Sequence, residues 1–234
     1  MKGDSIVIEP HHKLAADQAF DHLRSHLLHS EDRKVIAIAG ESGSGKSETA
    51  AALALRLEAE GIHAAVLQQD DYFVYPPRSN DRARRKDINW VGPNEVHLDL
   101  LDRHLSEFRA GNTIDKPLVD YAADRIDQEQ IDLSHARVLI VEGTYTLLLH
   151  NADWRIFIDR SYLRTRAHRE KRIRDASELD PFIDQVLKIE HGIISKHRAR
   201  ADLLVNDDYT VSQGPAGKPF NRPAAADGPA ADGP

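Results

Sequence analysis

The sequence predicts an α/β fold with a mostly parallel β-sheet that helices cover on both faces. Short apolar runs, typical of buried parallel strands, alternate along the chain with segments of helical spacing. Between the first strong strand and its helix, residues 40–47 fit the pattern G-x-x-x-x-G-K-[ST] without a gap. A strand before this pattern and a helix after it form the context of a phosphate-binding loop (P-loop). We therefore expect a three-layer sandwich of the P-loop NTPase type.

The individual elements follow from local patterns. The predicted strands are short apolar or β-branched runs and lie at residues 6–8, 34–39, 64–69, 138–141, 156–159 and 203–205. The predicted helices lie at residues 10–29, 48–60, 95–108, 161–175 and 181–198. Residues 75–86 contain two prolines and many charges, which favours an exposed loop, and the chain is expected to be extended from residue 113 to 121.

The domain organisation is simple. One domain is predicted over residues 1–211, with its core at 34–205. From residue 212 to 234 the chain consists largely of Pro, Gly, Ala and Asp, with little to bury, so this tail is expected to be disordered.

Composition narrows the class of protein. The hydrophobic content of 41% and charged content of 29% are ordinary for a globular protein, and no apolar stretch approaches the length of a membrane span. Without cysteines the chain has no disulfide and no thiolate metal site, and without a secretory signal a cytoplasmic location is expected. The net charge of −7 argues against nucleic acid as a partner. We expect a small-molecule partner, and homo-oligomer formation stays open.

The P-loop pattern predicts a nucleoside triphosphate site. Backbone N–H groups of the loop and the start of the following helix would surround the phosphates. Lys46 is expected to reach the β- and γ-phosphate oxygens, and the Ser47 hydroxyl to bind Mg²⁺. The predicted nucleotide contacts are Gly40, Ser42, Gly43, Ser44, Gly45, Lys46, Ser47 and Glu48. ATP and Mg²⁺ are therefore the expected ligands.

Carboxylates at two strand ends are the candidates for metal binding and base catalysis. Glu142 ends an apolar strand, where ligand sites of open α/β sheets lie, and is the expected metal ligand. Asp70 ends the strand after the P-loop helix and is the candidate general base. Asp71 is the rival, because adjacent residues at a strand end point in opposite directions. The alternative is that both aspartates only stabilise the turn after the strand.

Two groups of cations could bind anions. Seven Arg and Lys residues lie between positions 160 and 174, as in a helical lid that closes over phosphates, and Arg169 and Arg172 are the favoured contacts. A solvated cationic face explains most of the others. A second group between 78 and 86 suits an anionic acceptor or an ordinary exposed loop. The candidate acceptor contacts are Asp71, Tyr72, Arg85, Tyr121 and Arg125.

Together these segments resemble the uridine kinase and phosphoribulokinase group of P-loop kinases over residues 34–205. The matching strings are the P-loop, residues 69–73 (QDDYF), 141–144 (VEGT), the basic stretch and 201–205 (ADLLV). The resemblance implies that Asp70 is the catalytic base and that Glu142 helps to hold Mg²⁺. It does not extend to three acceptor contacts of uridine kinases, whose positions hold Val91, Val119 and Asp124 here.

The sequence therefore predicts an ATP- and Mg²⁺-dependent kinase that phosphorylates a hydroxyl group of a small metabolite. A nucleoside or related compound comes first as the acceptor, through the resemblance. A sugar phosphate or an organic acid is the alternative, favoured by the cations between 78 and 86. A regulatory ATPase without a small-molecule acceptor, and a binding module without turnover, are the rivals from other classes.

Overall fold

A computed structural model describes residues 6–163 and 180–217 of the chain. Its strands are β1 (Lys34–Gly40), β2 (Ala64–Gln68), β3 (Thr113–Asp120), β4 (Arg125–Asp132), β5 (Val138–Glu142), β6 (Trp154–Ile158), β7 (Leu203–Val205) and β8 (Val211–Gln213). Its helices are α1 (Pro10–Leu28), α2 (Lys46–Ala59), α3 (Pro77–Lys86), α4 (Leu98–Ala110) and α5 (Pro181–Ile194). No described helix combines the length and apolar character needed to cross a membrane.

The main sheet has six strands in the order β2-β5-β1-β6-β7-β8. The first five are parallel, and β8 pairs antiparallel with β7. Because β5 and β6 flank β1, the carboxyl ends of β1 and β5 lie side by side, with Ile38 opposite Glu142. This edge of the sheet therefore brings together the P-loop and the VEGT segment.

Helices cover both faces of this sheet, as predicted. On one face, Ile36, Ile38 and Ile140 pack with α1 and α2. On the other face, Val35, Ala37 and their neighbours pack with α4 and the end of α5. Strands with both faces buried contain apolar residues at nearly every position, and these apolar runs allowed the strands to be predicted.

A separate two-stranded hairpin, β3–β4, completes the fold. Its strands pair antiparallel from Thr113 opposite Asp132 to Asp120 opposite Arg125. The extended stretch after residue 112 was predicted, whereas β4 was not. Its sequence, RIDQEQID, is polar and mostly exposed, so it has no apolar run for a prediction to detect.

Some other expectations about secondary structure need correction, and others concern residues that the structure does not describe. Residues 6–8 form no strand, and residues 77–86, predicted as a loop, form α3. Ser212 and Gln213, assigned to the tail, belong to β8, and the N–H groups of Gly214 and Ala216 donate to the backbone oxygens of Asp202 and Ala201. The predicted lid helix at 161–175 falls largely on residues 164–179, and the rest of the tail on residues 218–234. Both lie outside the described residues.

Candidate active site

The P-loop connects β1 to α2 with the geometry of an anion-binding turn. Gly43 and Gly45 have φ angles of 72° and 94°, in the left-handed region that favours glycine. Gly45 is the N-cap of α2, and the helix begins at Lys46. The first N–H groups of a helix have no partner within it, so this end of α2 offers donors to an anion.

Side chains around the loop fit a bound phosphate. The Lys46 ammonium donates to the backbone oxygen of Glu41 at 3.0 Å, so it lies over the loop. The Ser44 hydroxyl is fully buried and has no hydrogen-bond partner in the described structure. A Cβ atom on Gly40 would lie 2.7 Å from that hydroxyl oxygen, so the loop closes tightly here. Ser42 and Glu48 flank this cradle on the loop and in the first turn of α2.

Ser47 and Glu142 meet at the neighbouring ends of α2 and β5. The Ser47 hydroxyl donates to Oε1 of Glu142 at 2.9 Å. Burial raises the pKa of Glu142 to about 7; the negative charge of Asp70 adds to this, whereas Lys46 and Ser47 oppose it. A hydroxyl and a carboxylate oxygen are ligands of the kind that Mg²⁺ takes in nucleotide sites, where one or two carboxylates suffice. The pair therefore fits a magnesium ion.

Asp70 and Asp71 lie in a short 3₁₀ turn, Gln69–Tyr72, that follows β2. Asp70 is exposed, and its charge acts on Glu142. Asp71 is 2% exposed and pairs with Lys116 of β3 at 2.7 Å. The two neighbours thus face opposite sides, and Asp70 is the one placed toward Glu142. This arrangement supports Asp70 over Asp71 as the candidate base.

The turn that contains Asp70 packs closely against the VEGT segment. A Cβ atom on Gly143 would lie 2.3 Å from Cβ of Gln69, so a side chain larger than hydrogen does not fit. The Tyr145 backbone N–H donates to Oε1 of Gln69 at 2.7 Å. Gln69 and Gly143 hence pack the turn that contains Asp70 against the segment that begins at Glu142. Neither contact was predicted.

The predicted acceptor contacts lie in different surroundings. Tyr72 is fully buried, and its hydroxyl lies 2.8 Å from Nδ1 of His104. The Arg85 guanidinium donates to Asp81 and Asp180, each at 2.8 Å. Arg125 is exposed and pairs with Asp127, and Tyr121 is partly exposed at the end of β3. All five acceptor contacts, Asp71, Tyr72, Arg85, Tyr121 and Arg125, stay predictions. Arg169 and Arg172 lie outside the described residues.

An ionic cluster that the sequence did not indicate lies between α3, α5 and the chain before α4. The Arg84 guanidinium donates to both oxygens of Glu95, and its Nη2 lies 3.0 Å from Oε1 of Glu190. The charge of Lys46 acts on Glu190, which places the cluster near the P-loop. Burial is the main cause that raises the pKa of Glu190.

A second unpredicted contact joins the P-loop to α5. Glu41 is 5% exposed, and its Oε1 lies 2.7 Å from Nδ1 of His191. Its other oxygen accepts a hydrogen bond from the Tyr162 backbone N–H at 2.6 Å. Because Glu41 and His191 are 150 positions apart, no local pattern indicates their contact.

Comparison with known proteins agrees with this geometry. The model of the Phosphoribulokinase / Uridine kinase family matches residues 35–188. A uridine kinase of Proteus mirabilis (strain HI4320) is 32% identical over 183 residues, which cover 73% of this chain and 85% of that protein. The bifunctional alpha-galactosidase/sucrose kinase AgaSK of Mediterraneibacter gnavus is 31% identical over 195 residues. That match covers 78% of this chain but spans 21% of the length of AgaSK.

Solved structures show the same fold. The D-glycerate 3-kinase of Cryptococcus neoformans var. grubii superposes with a TM-score of 0.56 over 88% of this chain and 99% of that one. At 12% identity this likeness concerns the fold alone. With the P-loop geometry and the match over residues 35–188, the chain belongs to the phosphoribulokinase/uridine kinase family and is an ATP-dependent small-molecule kinase.

Proposed function

We propose that this kinase transfers the γ-phosphoryl group of Mg-ATP to a hydroxyl group of an uncharged acceptor, a nucleoside or a carbohydrate. The observation that carries the proposal is the exposed Asp70 next to the Ser47–Glu142 pair and Lys46. A carboxylate open to solvent and close to the phosphate site is placed to receive the proton of an attacking hydroxyl.

The reaction assigns a role to each of these residues. Asp70 accepts the proton of the acceptor hydroxyl while the oxygen of that hydroxyl bonds to the γ-phosphorus. The bond between that phosphorus and the bridging oxygen of ADP breaks, and ADP leaves with the electron pair. Lys46 stabilises negative charge on the phosphate oxygens, and Ser47 and Glu142 would hold the metal. Bound Mg²⁺ would neutralise part of the charge on the β- and γ-phosphates.

The charges of α3 bear on the class of acceptor. Three of the five cations of α3 that suggested an anionic acceptor already have carboxylate partners: Arg82 pairs with Asp124, Arg84 with Glu95 and Glu190, and Arg85 with Asp81 and Asp180. Arg84 is a single cation between two carboxylates, so it has no spare positive charge for an anionic acceptor. This pairing favours an uncharged molecule over a phosphorylated sugar or an organic acid.

Three positions that differ from uridine kinases bear on which uncharged acceptor this kinase uses. Val91 and Val119 are 5% and 1% exposed, and Asp124 accepts hydrogen bonds from α3. None of the three offers a polar atom of the kind that uridine kinases use. A carbohydrate is therefore a candidate beside a nucleoside, and the sucrose kinase named in AgaSK supports including disaccharides.

A coupled ADP-release assay with matched acceptors tests the proposal. In each pair one hydroxyl-bearing position of the neutral compound carries an anionic group instead: uridine and UMP, fructose and fructose 6-phosphate, glycerol and glycerate, with sucrose added as a disaccharide. We expect stimulation by an uncharged member and none by its anionic partner. Asp70→Asn should remove that stimulation and retain ADP binding. Stimulation by anionic compounds alone would contradict the acceptor class, and a background rate that no acceptor raises would favour a regulatory ATPase.

A further inference from the structure

The residue next to the candidate base in sequence belongs to a buried ion pair, Asp71–Lys116. Nζ of Lys116 lies 2.7 Å from Oδ2 of Asp71, 3.0 Å from the backbone oxygen of Pro117 and 3.3 Å from Glu129. The other oxygen of Asp71 accepts a hydrogen bond from the Val119 N–H at 3.0 Å. Asp71 and Lys116 are 2% and 4% exposed. The pair ties the turn Gln69–Tyr72 to the β3–β4 hairpin.

Stability alone is a weak reason for such a pair. Removing two charges from water is costly, and apolar residues of similar size often stabilise a core equally well. A better attested use of buried ionic groups is to fix the register of two elements. Here both oxygens of Asp71 bind β3, one through a side chain and one through the backbone. The turn therefore has one defined position on the hairpin.

Asp70 is held by the contacts of its neighbours in the turn. Gln69 accepts a hydrogen bond from the backbone of Tyr145, which follows β5, and Tyr72 contacts His104 of α4. Asp71 supplies the ionic contact, and its partner belongs to a sheet separate from the main one. A shift of the hairpin thus moves the residue adjacent to Asp70.

We propose that Asp71 and Lys116 are positioning residues that set the Asp70 carboxylate for proton transfer. The inference rests on the proposed kinase reaction with Asp70 as base. Proton transfer needs the base within hydrogen-bond reach of the acceptor hydroxyl, so a small displacement of Asp70 lowers the rate strongly. In this proposal Asp71 and Lys116, which are 2% and 4% exposed, act through Asp70 and not as catalytic groups themselves.

The test uses the full chain and whichever acceptor stimulates the wild type most. The variants are Lys116→Met, Lys116→Arg and Asp71→Asn. Gln130→Ala is the control, because it breaks the exposed Gln130–Asp115 hydrogen bond on the same hairpin. We expect Lys116→Met to lower kcat at least about tenfold with the KM for Mg-ATP changed less than about twofold. Lys116→Arg should recover part of kcat, and Gln130→Ala should match the wild type.

Combination with Asp70→Asn separates positioning from general destabilisation. If the pair acts through Asp70, Lys116→Met should lower kcat little further in the Asp70→Asn background. Unchanged kcat in folded Lys116→Met, with a lower Tm alone, overturns the inference, as do losses that multiply with those of Asp70→Asn. If Lys116→Met fails to fold, Lys116→Arg decides by the same two readouts. A wild type that no acceptor stimulates overturns the proposed function itself and, with it, this inference.

Discussion

Nδ1 of His191 lies 2.7 Å from Oε1 of Glu41, so α5 contacts the P-loop directly. The Glu41 side chain is 7% exposed and the His191 ring is 43% exposed. The neighbouring Glu190 pairs with Arg84 of α3. Two adjacent residues of one helix therefore contact the P-loop and helix α3.

Loss of the imidazole at position 191 should weaken nucleotide binding. His191→Ala leaves the Glu41 carboxylate without one of its hydrogen-bond partners, close to the phosphate site. We expect the Kd for Mg-ADP, measured by isothermal titration calorimetry, to rise about fivefold to tenfold. His150→Ala is the matched control, because His150 forms a similar pair with Asp102 on an exposed surface. Equal affinities for the His191 and His150 variants would show that the Glu41 contact does not support the loop.

The Glu142 carboxyl should make the metal-free protein less stable as the pH rises. Its pKa of about 7 in the folded state exceeds the ordinary value of 4.5. Between these values the folded protein binds a proton that the unfolded chain releases, so stability falls as pH rises through this window. The shift corresponds to about 3 kcal/mol when fully developed. Glu142→Gln removes this dependence.

Urea unfolding in EDTA at pH 5, 6, 7 and 8 measures the effect. The free energy of unfolding of Glu142→Gln minus that of the wild type should grow across the window, because other titrating groups cancel in the difference. A difference that stays constant with pH would contradict the raised pKa. In the presence of Mg-ATP the same variant should need more Mg²⁺ for half-maximal activity, since it lacks the carboxylate proposed to hold the metal.

Local patterns predicted the parts of the molecule in which sequence neighbours act together. The P-loop joins one strand to one helix, and β1 and β5 are apolar at nearly every position because both faces are covered. The strand-end positions of Asp70 and Glu142 follow from the same alternation of strands and helices. Fold class and the outline of the phosphate site were thus accessible without a structure.

Contacts between distant segments were not accessible in this way. Asp71 meets Lys116 45 positions later, and Glu41 meets His191 150 positions later. The helix α3 was missed because its inward residues are polar: Asn80 is buried and Arg84 is nearly so. An apolar period cannot reveal a helix whose inner face consists of hydrogen-bonded and ion-paired side chains.

The start of α3 should depend on Asp124 of the hairpin. Oδ1 of Asp124 accepts a hydrogen bond from the Arg78 N–H at 2.7 Å, and Oδ2 accepts one from the Ser79 hydroxyl at 3.0 Å. The N-cap residue, Pro76, offers no side-chain acceptor, so Asp124 caps the helix from another element. Asp124→Ala should lower the free energy of unfolding by about 1 kcal/mol.

A matched control tests this cap. Asp127→Ala removes an aspartate of the same hairpin that pairs with exposed Arg125, and it should change stability less. Asp124→Asn keeps one acceptor and should fall between the two. Hydrogen exchange of the amides of α3 gives a local readout. If Asp124→Ala leaves their protection unchanged, Asp124 does not cap α3.

Arg84 should be far more important for stability than its neighbour Arg85. Glu95 is fully buried, and its oxygens accept hydrogen bonds from Arg84, Asn80 and the Gly92 N–H. Arg84→Met removes the cation and leaves the buried Glu95 carboxylate without a positively charged partner, so we expect a loss of about 3–5 kcal/mol in the free energy of unfolding. Arg84→Lys keeps the charge but not the two-pronged contact with Glu95, and should recover part of that loss.

Arg85→Met is the control, because it removes the same side-chain type one position along the same helix. Arg85 pairs with the half-exposed carboxylates of Asp81 and Asp180, where solvent compensates for a lost partner. Urea unfolding of Arg84→Met, Arg84→Lys and Arg85→Met therefore distinguishes the loss of a buried ion pair from the loss of an exposed one. Equal losses for Arg84→Met and Arg85→Met would mean that Glu95 gains water or a proton when its cation is removed.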